Sequence, residues 1–282
     1  MMNNKVDFAA LILVDKANPN GDPLGGNRPR TDYDGHGEIS KESITRKLRN
    51  RLQDMGYPIF VQSNERCTDG CTSLSNRANT YLGKTKGKDK RSVAERACET
   101  WIDVRAFGQV FAFDMDEKDS SVALGIRGPV TIRIAESVAP VEVRTIQITK
   151  SVNNNTSDKR GSDTVGSRHF VQHGLYVLKG SISPQLAECT GFDDSDAEAV
   201  KEALRTLFRG DASSARPEGS MEVVKLYWWR HNCKLGQYSS AKVHRSLDIT
   251  LKNPDKVPSS LTDYEITLSE LPGLVPEILE GE

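Results

Sequence analysis

NPNGDPLGGNRPRTDYDGHGE (residues 18–38) runs, one isoleucine later, into SKESITRKLRNRL (40–52), and the apolar run FAALILV (8–14) precedes both. The first segment can be neither a helix nor a central strand. Pro19, Pro23 and Pro29 lack an amide proton, and Gly21, Gly25, Gly26, Gly35 and Gly37 permit backbone angles that other residues avoid. It reads as a shaped surface loop between a strand over Val6–Val14 and a helix over about 40–55. Ser40 is the predicted N-cap and Glu42 suits the first turn. Ile44, Leu48, Leu52 and Met55 fall at helical spacing toward a core, and Thr45, Arg46, Arg49 and Gln53 fall on a neighbouring side. A loop carrying Arg28 and Arg30, followed by the free amides of a helix N-terminus, is a cradle for phosphate oxygens.

Charge is segregated along the chain. The net charge is only −1, yet Lys41–Arg51 holds five basic residues against one acidic and Lys84–Arg96 six against two. Beyond Asn253 come seven acidic residues and a single lysine, a tail read as solvating. Local basic patches, more than total charge, steer a phosphate backbone. A chain of 282 residues can bury a sizeable core and is read as one domain with large insertions.

Five cysteines, no signal peptide at MMNNKVDF and no apolar run of membrane-spanning length lead to the expectation of a reducing cytoplasm, with no membrane partner. Cys67 and Cys71, with Cys98 downstream, and His169 and His173 have zinc-like spacings but no convincing second half, so no metal and no cofactor is expected. GNRPRT and GKTKGKDK lack the glycine order of a nucleotide-binding P-loop.

Further along, an insertion rich in charge and small residues occupies about 57–95, followed by a helix-to-strand stretch over Val93–Phe113. Strands are predicted at Pro129–Ala135, Val141–Thr149, Gly174–Ser183 and Met221–Trp229, with a helix at Ser195–Phe208. Strands separated by two well-marked helices suit an α+β sandwich with a ferredoxin-like or RRM-like core. GKTKGKDKR (83–91) is too polar to pack. Its Lys84, Lys86, Lys88, Lys90 and Arg91 suit either a solvated loop or a non-specific grip on a DNA backbone. SVNNNTSDKRGSDTVGSR (151–168) is a long polar excursion of the kind that is functional or disordered. Tyr227 and Trp229 share one face of a strand and Trp228 takes the other, where packing explains them better than base stacking.

NPNGDP (18–23), GNRPRTD (26–32) and ISKESITRKLRNRL (39–52) resemble the N-terminal signature of the type I-C CRISPR Cascade backbone subunit, the multicopy guide-RNA-binding protein of the Cas-seven superfamily. CETWIDVRAFGQVFAF (98–113), GIRGPV (125–130), SVAPVEVRTIQIT (137–149) and HGLYVLKG (173–180) resemble the same family in the same order. The likeness implies a modified ferredoxin-like, RRM-like palm, a finger-like insertion at about 57–95 and a thumb-like β-hairpin at about 147–173. It also implies a non-catalytic subunit that polymerises head to tail along crRNA and presents bases to target DNA, beside a small capping or processing subunit and a large subunit. RNA-facing candidates are then Arg28, Arg30, Ser40, Lys41, Thr45, Arg46, Arg49 and Arg127. In the thumb, Lys150, Lys159, Arg160 and Arg168 would meet phosphates, with Val165 or Phe170 a wedge or anchor. Related type III backbone subunits cut RNA with a loop aspartate and a metal, so Asp15, Asp22, Asp32 and Asp34 keep a guided ribonuclease open as the alternative. Asp22 and Asp32 occupy positions where aspartate commonly caps turns. A general single-strand RNA binder is the plainer third reading.

Overall fold

The computed structural model describes residues 2–83, 90–111, 124–149 and 165–282. In chain order the elements begin with β1 (Val6–Ala17), β2 (Gly21–Asp22), β3 (Arg28–Pro29), β4 (His36–Ile39), α1 (Lys41–Asp54), α2 (Leu74–Leu82) and α3 (Lys90–Thr100). Then come α4 (Ile102–Phe107), β5 (Gly108–Phe111), β6 (Leu124–Arg127), β7 (Val130–Ile132), β8 (Ala135–Pro140), β9 (Val143–Thr149) and β10 (Val165–Ile182). The chain closes with α5 (Pro184–Thr190), α6 (Asp194–Arg205), β11 (Met221–Arg230), α7 (Ser240–Ser246), β12 (Leu247–Leu251), β13 (Tyr264–Leu268) and β14 (Glu277–Glu280).

The architecture is mixed α/β around an antiparallel sheet of eight strands, with order β14-β11-β1-β10-β8-β4 and with β7 and β9 also paired to β10. FAALILV is apolar throughout because both faces of β1 are covered. Phe8, Ala10, Ile12 and Val14 enter the main core with Ile44, Leu48 and Leu52 of α1 and Val200, Ala203 and Leu204 of α6. Ala9 and Leu11 enter a second core on the opposite face, under Val243 of α7, Leu247 of β12 and Tyr264 of β13. On β11, Trp228 joins the first core and Tyr227 and Trp229 the second, and all three rings are buried.

Three regions differ from the sequence reading. The insertion at 57–95 is not merely polar. Phe60, Ala78 and Leu82 pack with Val93, Ala97, Trp101, Val104 and Phe111 into a third core, so α2 and α3 form a lobe of their own. Helix α4 joins that lobe to the main sheet, since Ile102 and Ala106 face the main core while Trp101 and Val104 face the lobe. A bidentate pair from Arg105 to Asp196, at 2.8 and 2.7 Å, ties the same helix to α6. The strand expected over Pro129–Ala135 breaks after Ile132, and its partner register restarts in β8.

The acidic tail, read as solvating, is instead bonded to the body. Glu277 accepts from Lys201 at 2.9 Å and Glu282 from Arg205 at 2.8 Å, while β14 closes one sheet edge and β13 pairs with β12. Among the described residues no helix is long and apolar enough to cross a membrane.

Candidate nucleic-acid interface

The glycine-rich loop holds its shape through its own polar groups. β2 and β3 form a short ribbon, Gly21 opposite Pro29 and Asp22 opposite Arg28. Asn18 Nδ2 donates to the Asn27 carbonyl at 2.7 Å, and Asn27 itself takes a left-handed φ of 62°. Asn20 Oδ1 accepts from Ser40 N at 2.8 Å, which fixes the loop to the start of α1. Gly37 is required by close approach, because a Cβ there would sit 2.1 Å from Tyr176 Oη. A rigid loop therefore leads into the helix, with Leu24 and Tyr33 fully exposed on it.

Ser40 caps α1, its Oγ accepting from Ser43 N at 3.2 Å. Ile44, Leu48 and Leu52 are buried and Met55 packs partly against them. On the neighbouring side, Lys41, Glu42, Thr45, Arg46 and Arg49 line one cavity of about 570 Å³, with Glu42 3.7 Å from the Lys41 ammonium and three cations against that one acid. Phe107 and the β7 residues Val130, Thr131 and Ile132 form its other wall. Arg46 Nη1 donates to the Val61 carbonyl at 2.7 Å, and Arg49 Nε to Asp103 Oδ2 at 2.9 Å. Burial, reinforced by the charge of Arg49, lowers the affinity of Arg46 for its proton below the ordinary value, while Asp103 opposes the shift. Such a cationic, half-desolvated wall suits an anion carrying several acceptor oxygens.

The other sequence candidates are dispersed. Arg28 donates through Nη1 to Thr145 Oγ1 at 3.2 Å and Arg30 through Nη2 to Asp22 Oδ1 at 3.2 Å, so both are held within or beside the loop. Arg127 lies on the β5–β6 ribbon opposite Gly108 and does not line the α1 cavity. Arg168 stands on β10 opposite Ile146 of β9, with Phe170 opposite Arg144, in the two-stranded arm. Lys90 and Arg91 open α3 and are exposed. Lys84, Lys86, Lys88, Lys150, Lys159 and Arg160 lie outside the described residues, and of Val165 only its place in β10 is described.

Sequence reading missed Asp103 and Phe107, although both stand in the quoted string DVRAFG. Their signal was motif-level only, because nothing local marks Asp103 as the partner of a helix far upstream. The loop aspartates are engaged as turn caps: Asp22 Oδ1 accepts from Leu24 N at 3.3 Å, and Asp32 Oδ1 from Asp34 N at 3.0 Å and His36 N at 2.8 Å. Cys67 Sγ contacts Asp69 and the Cys71 carbonyl, whereas Cys98 is buried in the third core. Among the described residues no group of three or more His, Cys, Asp and Glu side chains could hold a metal ion.

A "CRISPR-associated protein Cas7" of Haloferax volcanii is 29% identical over 285 residues, covering 95% of this chain and 82% of that protein. A solved chain described as "CRISPR RNA-guided surveillance complex, pre-nicking" aligns with a TM-score of 0.47 at 15% identity, covering 80% of this chain and 78% of its own. Another, from a "CRISPR RNA-guided surveillance complex", aligns at 0.45 and 18% identity, covering 80% and 68%. The family description "CRISPR-associated protein Cas7" matches residues 4–269. With nearly its whole length matched, the chain belongs to the CRISPR-associated protein Cas7 family.

Proposed function

We propose that this protein is a non-catalytic backbone subunit of a type I-C Cascade effector complex. Copies polymerise head to tail along crRNA, each gripping the sugar-phosphate backbone and leaving bases free to pair with target DNA. The observation that carries the reading is the α1 cavity, where Lys41, Thr45, Arg46 and Arg49 converge beside a rigid loop in a member of the Cas7 family. Arginine forks and amide-rich turns recognise phosphate without reading sequence, so pairing supplies specificity and the protein supplies geometry. Repeating one heterologous contact that does not close gives a helical filament.

The core is read as ferredoxin-like, or RRM-like. Strands β11-β1-β10-β8 stand in the spatial order four-one-three-two of a split βαβ pair, with α1 and α6 on one face. The α2–α3 lobe is the finger and the β9–β10 arm the thumb. Arg28, Arg30, Ser40, Arg127 and Arg168 are assigned to crRNA with the cavity residues, as are Lys150, Lys159 and Arg160. Lys84, Lys86, Lys88, Lys90 and Arg91 are assigned to target DNA. A small capping or processing subunit and a large subunit would complete the assembly in the cytoplasm.

The ribonuclease alternative loses support because the Asp22 and Asp32 carboxylates are engaged in turn-capping bonds, and Asp22 is also paired with Arg30. The test is the nucleic acid carried through purification in moderate salt. A discrete RNA length that is lost in an Arg46→Ala, Arg49→Ala double variant supports the reading, and heterogeneous RNA refutes it. Magnesium-dependent cleavage of guide-matched RNA that Asp22→Ala or Asp32→Ala abolishes would favour the enzyme.

A further inference from the structure

Asp103 is a fully buried carboxylate that meets three donors. Oδ1 accepts from Phe60 N at 2.7 Å, and Oδ2 accepts from Val61 N at 3.1 Å and Arg49 Nε at 2.9 Å. The backbone it holds is the same stretch whose Val61 carbonyl receives Arg46 Nη1. Two arginines one turn apart on α1 are thus fastened to one short piece of the α2–α3 lobe. Without a compensating charge they repel each other, and Asp103 is the anion that acts on both.

The orientation of Arg49 follows. Its Nε is engaged by Asp103, and its Cζ lies over the Phe107 ring, 5.6 Å from the centroid, a cation–π contact that further restricts the side chain. The Nη1 and Nη2 groups have no partner among the described residues, and Arg49 lines the α1 cavity. A side chain that is only 15% exposed therefore keeps its forked donors unspent.

We propose that Asp103 is the positioning residue of this interface. It fixes Arg49 through Nε so that the two Nη groups present a preformed fork to a phosphodiester in the cavity, and it neutralises one of the two like charges that α1 places together. Asp103 meets no ligand itself. The proposal rests on reading the cavity as the guide-phosphate site.

The experiment is a double-mutant cycle on the full chain, with a short single-stranded RNA oligonucleotide as probe and thermal unfolding as a separate readout. Measured well below the unfolding transitions, Asp103→Asn and Arg49→Ala each weaken binding about tenfold, a step of the size one charge-assisted contact supplies. In the Arg49→Ala background, Asp103→Asn costs much less than its roughly tenfold loss in the unmutated chain, the remainder acting through the Val61 carbonyl that holds Arg46. Arg49→Lys provides a variant that retains the charge but lacks the planar fork, and it binds as poorly as Arg49→Ala. Full losses that multiply in the double variant, an Asp103→Asn protein that is less stable yet binds normally, or wild-type binding by Arg49→Lys would each overturn the positioning role. If Arg49→Ala itself leaves binding unchanged, the phosphate reading of the cavity falls first and the role of Asp103 falls with it.

Discussion

Arg28 Nη1 lies 3.2 Å from Thr145 Oγ1, and that hydroxyl in turn lies 2.9 Å from His169 Nδ1. The glycine-rich loop is thereby bonded to β9 near the base of the β9–β10 arm and reaches β10 through the same threonine hydroxyl. The contact is exposed, so a Thr145→Val change costs less than about 1 kcal/mol of stability. Hydrogen exchange should nonetheless quicken over residues 20–30 while the unfolding midpoint barely moves; unchanged exchange there would show that the loop holds its shape unaided.

Lys47 and Asp211 form a largely buried ion pair, and Arg216 Nε also reaches Asp211 Oδ2 at 2.9 Å. Burial, against the pull of Asp211, brings the Lys47 ammonium down to about 8. Between that value and its ordinary 10.5 the unfolded chain binds more protons than the folded one. This contribution to stability therefore rises as pH climbs through that window and is reduced below it. Lys47→Met should flatten the rise and change stability at neutral pH by no more than about 1 kcal/mol, since Asp211 keeps Arg216. Asp211→Ala leaves a buried ammonium without its anion and should cost about 3–5 kcal/mol. Urea unfolding across the alkaline range checks both.

Asp7 behaves in the opposite sense. Burial raises the pKa of its carboxyl, but hydrogen bonds from His231 and Ser240 and the charge of Lys5 outweigh it and bring the group below its ordinary 3.8. A depressed folded value contributes stability that is present above the unfolded pKa and lost as pH falls through the folded one. Asp7→Asn should lower stability at neutral pH and show a shallower acid limb below about pH 4. Chemical denaturation at neutral and acid pH reads this directly, and an unchanged limb would remove Asp7 from the acid response.

Gly180 allows β10 to pass under Phe8. A Cβ there would stand 2.2 Å from Phe8 Cζ and 2.6 Å from the Thr131 carbonyl. Gly180→Ala should cost about 1–3 kcal/mol through overpacking. A smaller side chain at the clash, Phe8→Leu, should restore part of that loss if the ring is the obstacle; no recovery in the paired variant would point to the Thr131 carbonyl instead.

Patterns with a strong local cause could be read directly. The doubly covered strand showed in FAALILV, the cap in Ser40, the core stripe in Ile44, Leu48 and Leu52, and the two faces of β11 in the alternation of Tyr227, Trp228 and Trp229. What escaped depended on distant partners. The lobe core draws single apolar residues, Ala78 and Leu82 from α2 and Val93 and Ala97 from the charge-rich α3, on either side of GKTKGKDKR, the segment read as too polar to pack. YEITL alternates as a strand should but lies in the acidic tail read as solvating, and its partner LDITL, just before that tail, was not predicted as a strand. Of the candidate site, helical spacing grouped Thr45, Arg46 and Arg49, which share the cavity, but also Gln53, which instead donates to the Arg66 carbonyl at 2.8 Å. Asp103 could not, because its donors are backbone amides of Phe60 and Val61 and a guanidinium 54 residues away.

β10 runs unbroken for 18 residues, pairing first with β9 in the arm, from Val165 to Val171, and then with β1 through to Ile182. No joint separates the lever from its mounting. Any tug on the arm's base is delivered along one backbone into the middle of the eight-stranded sheet.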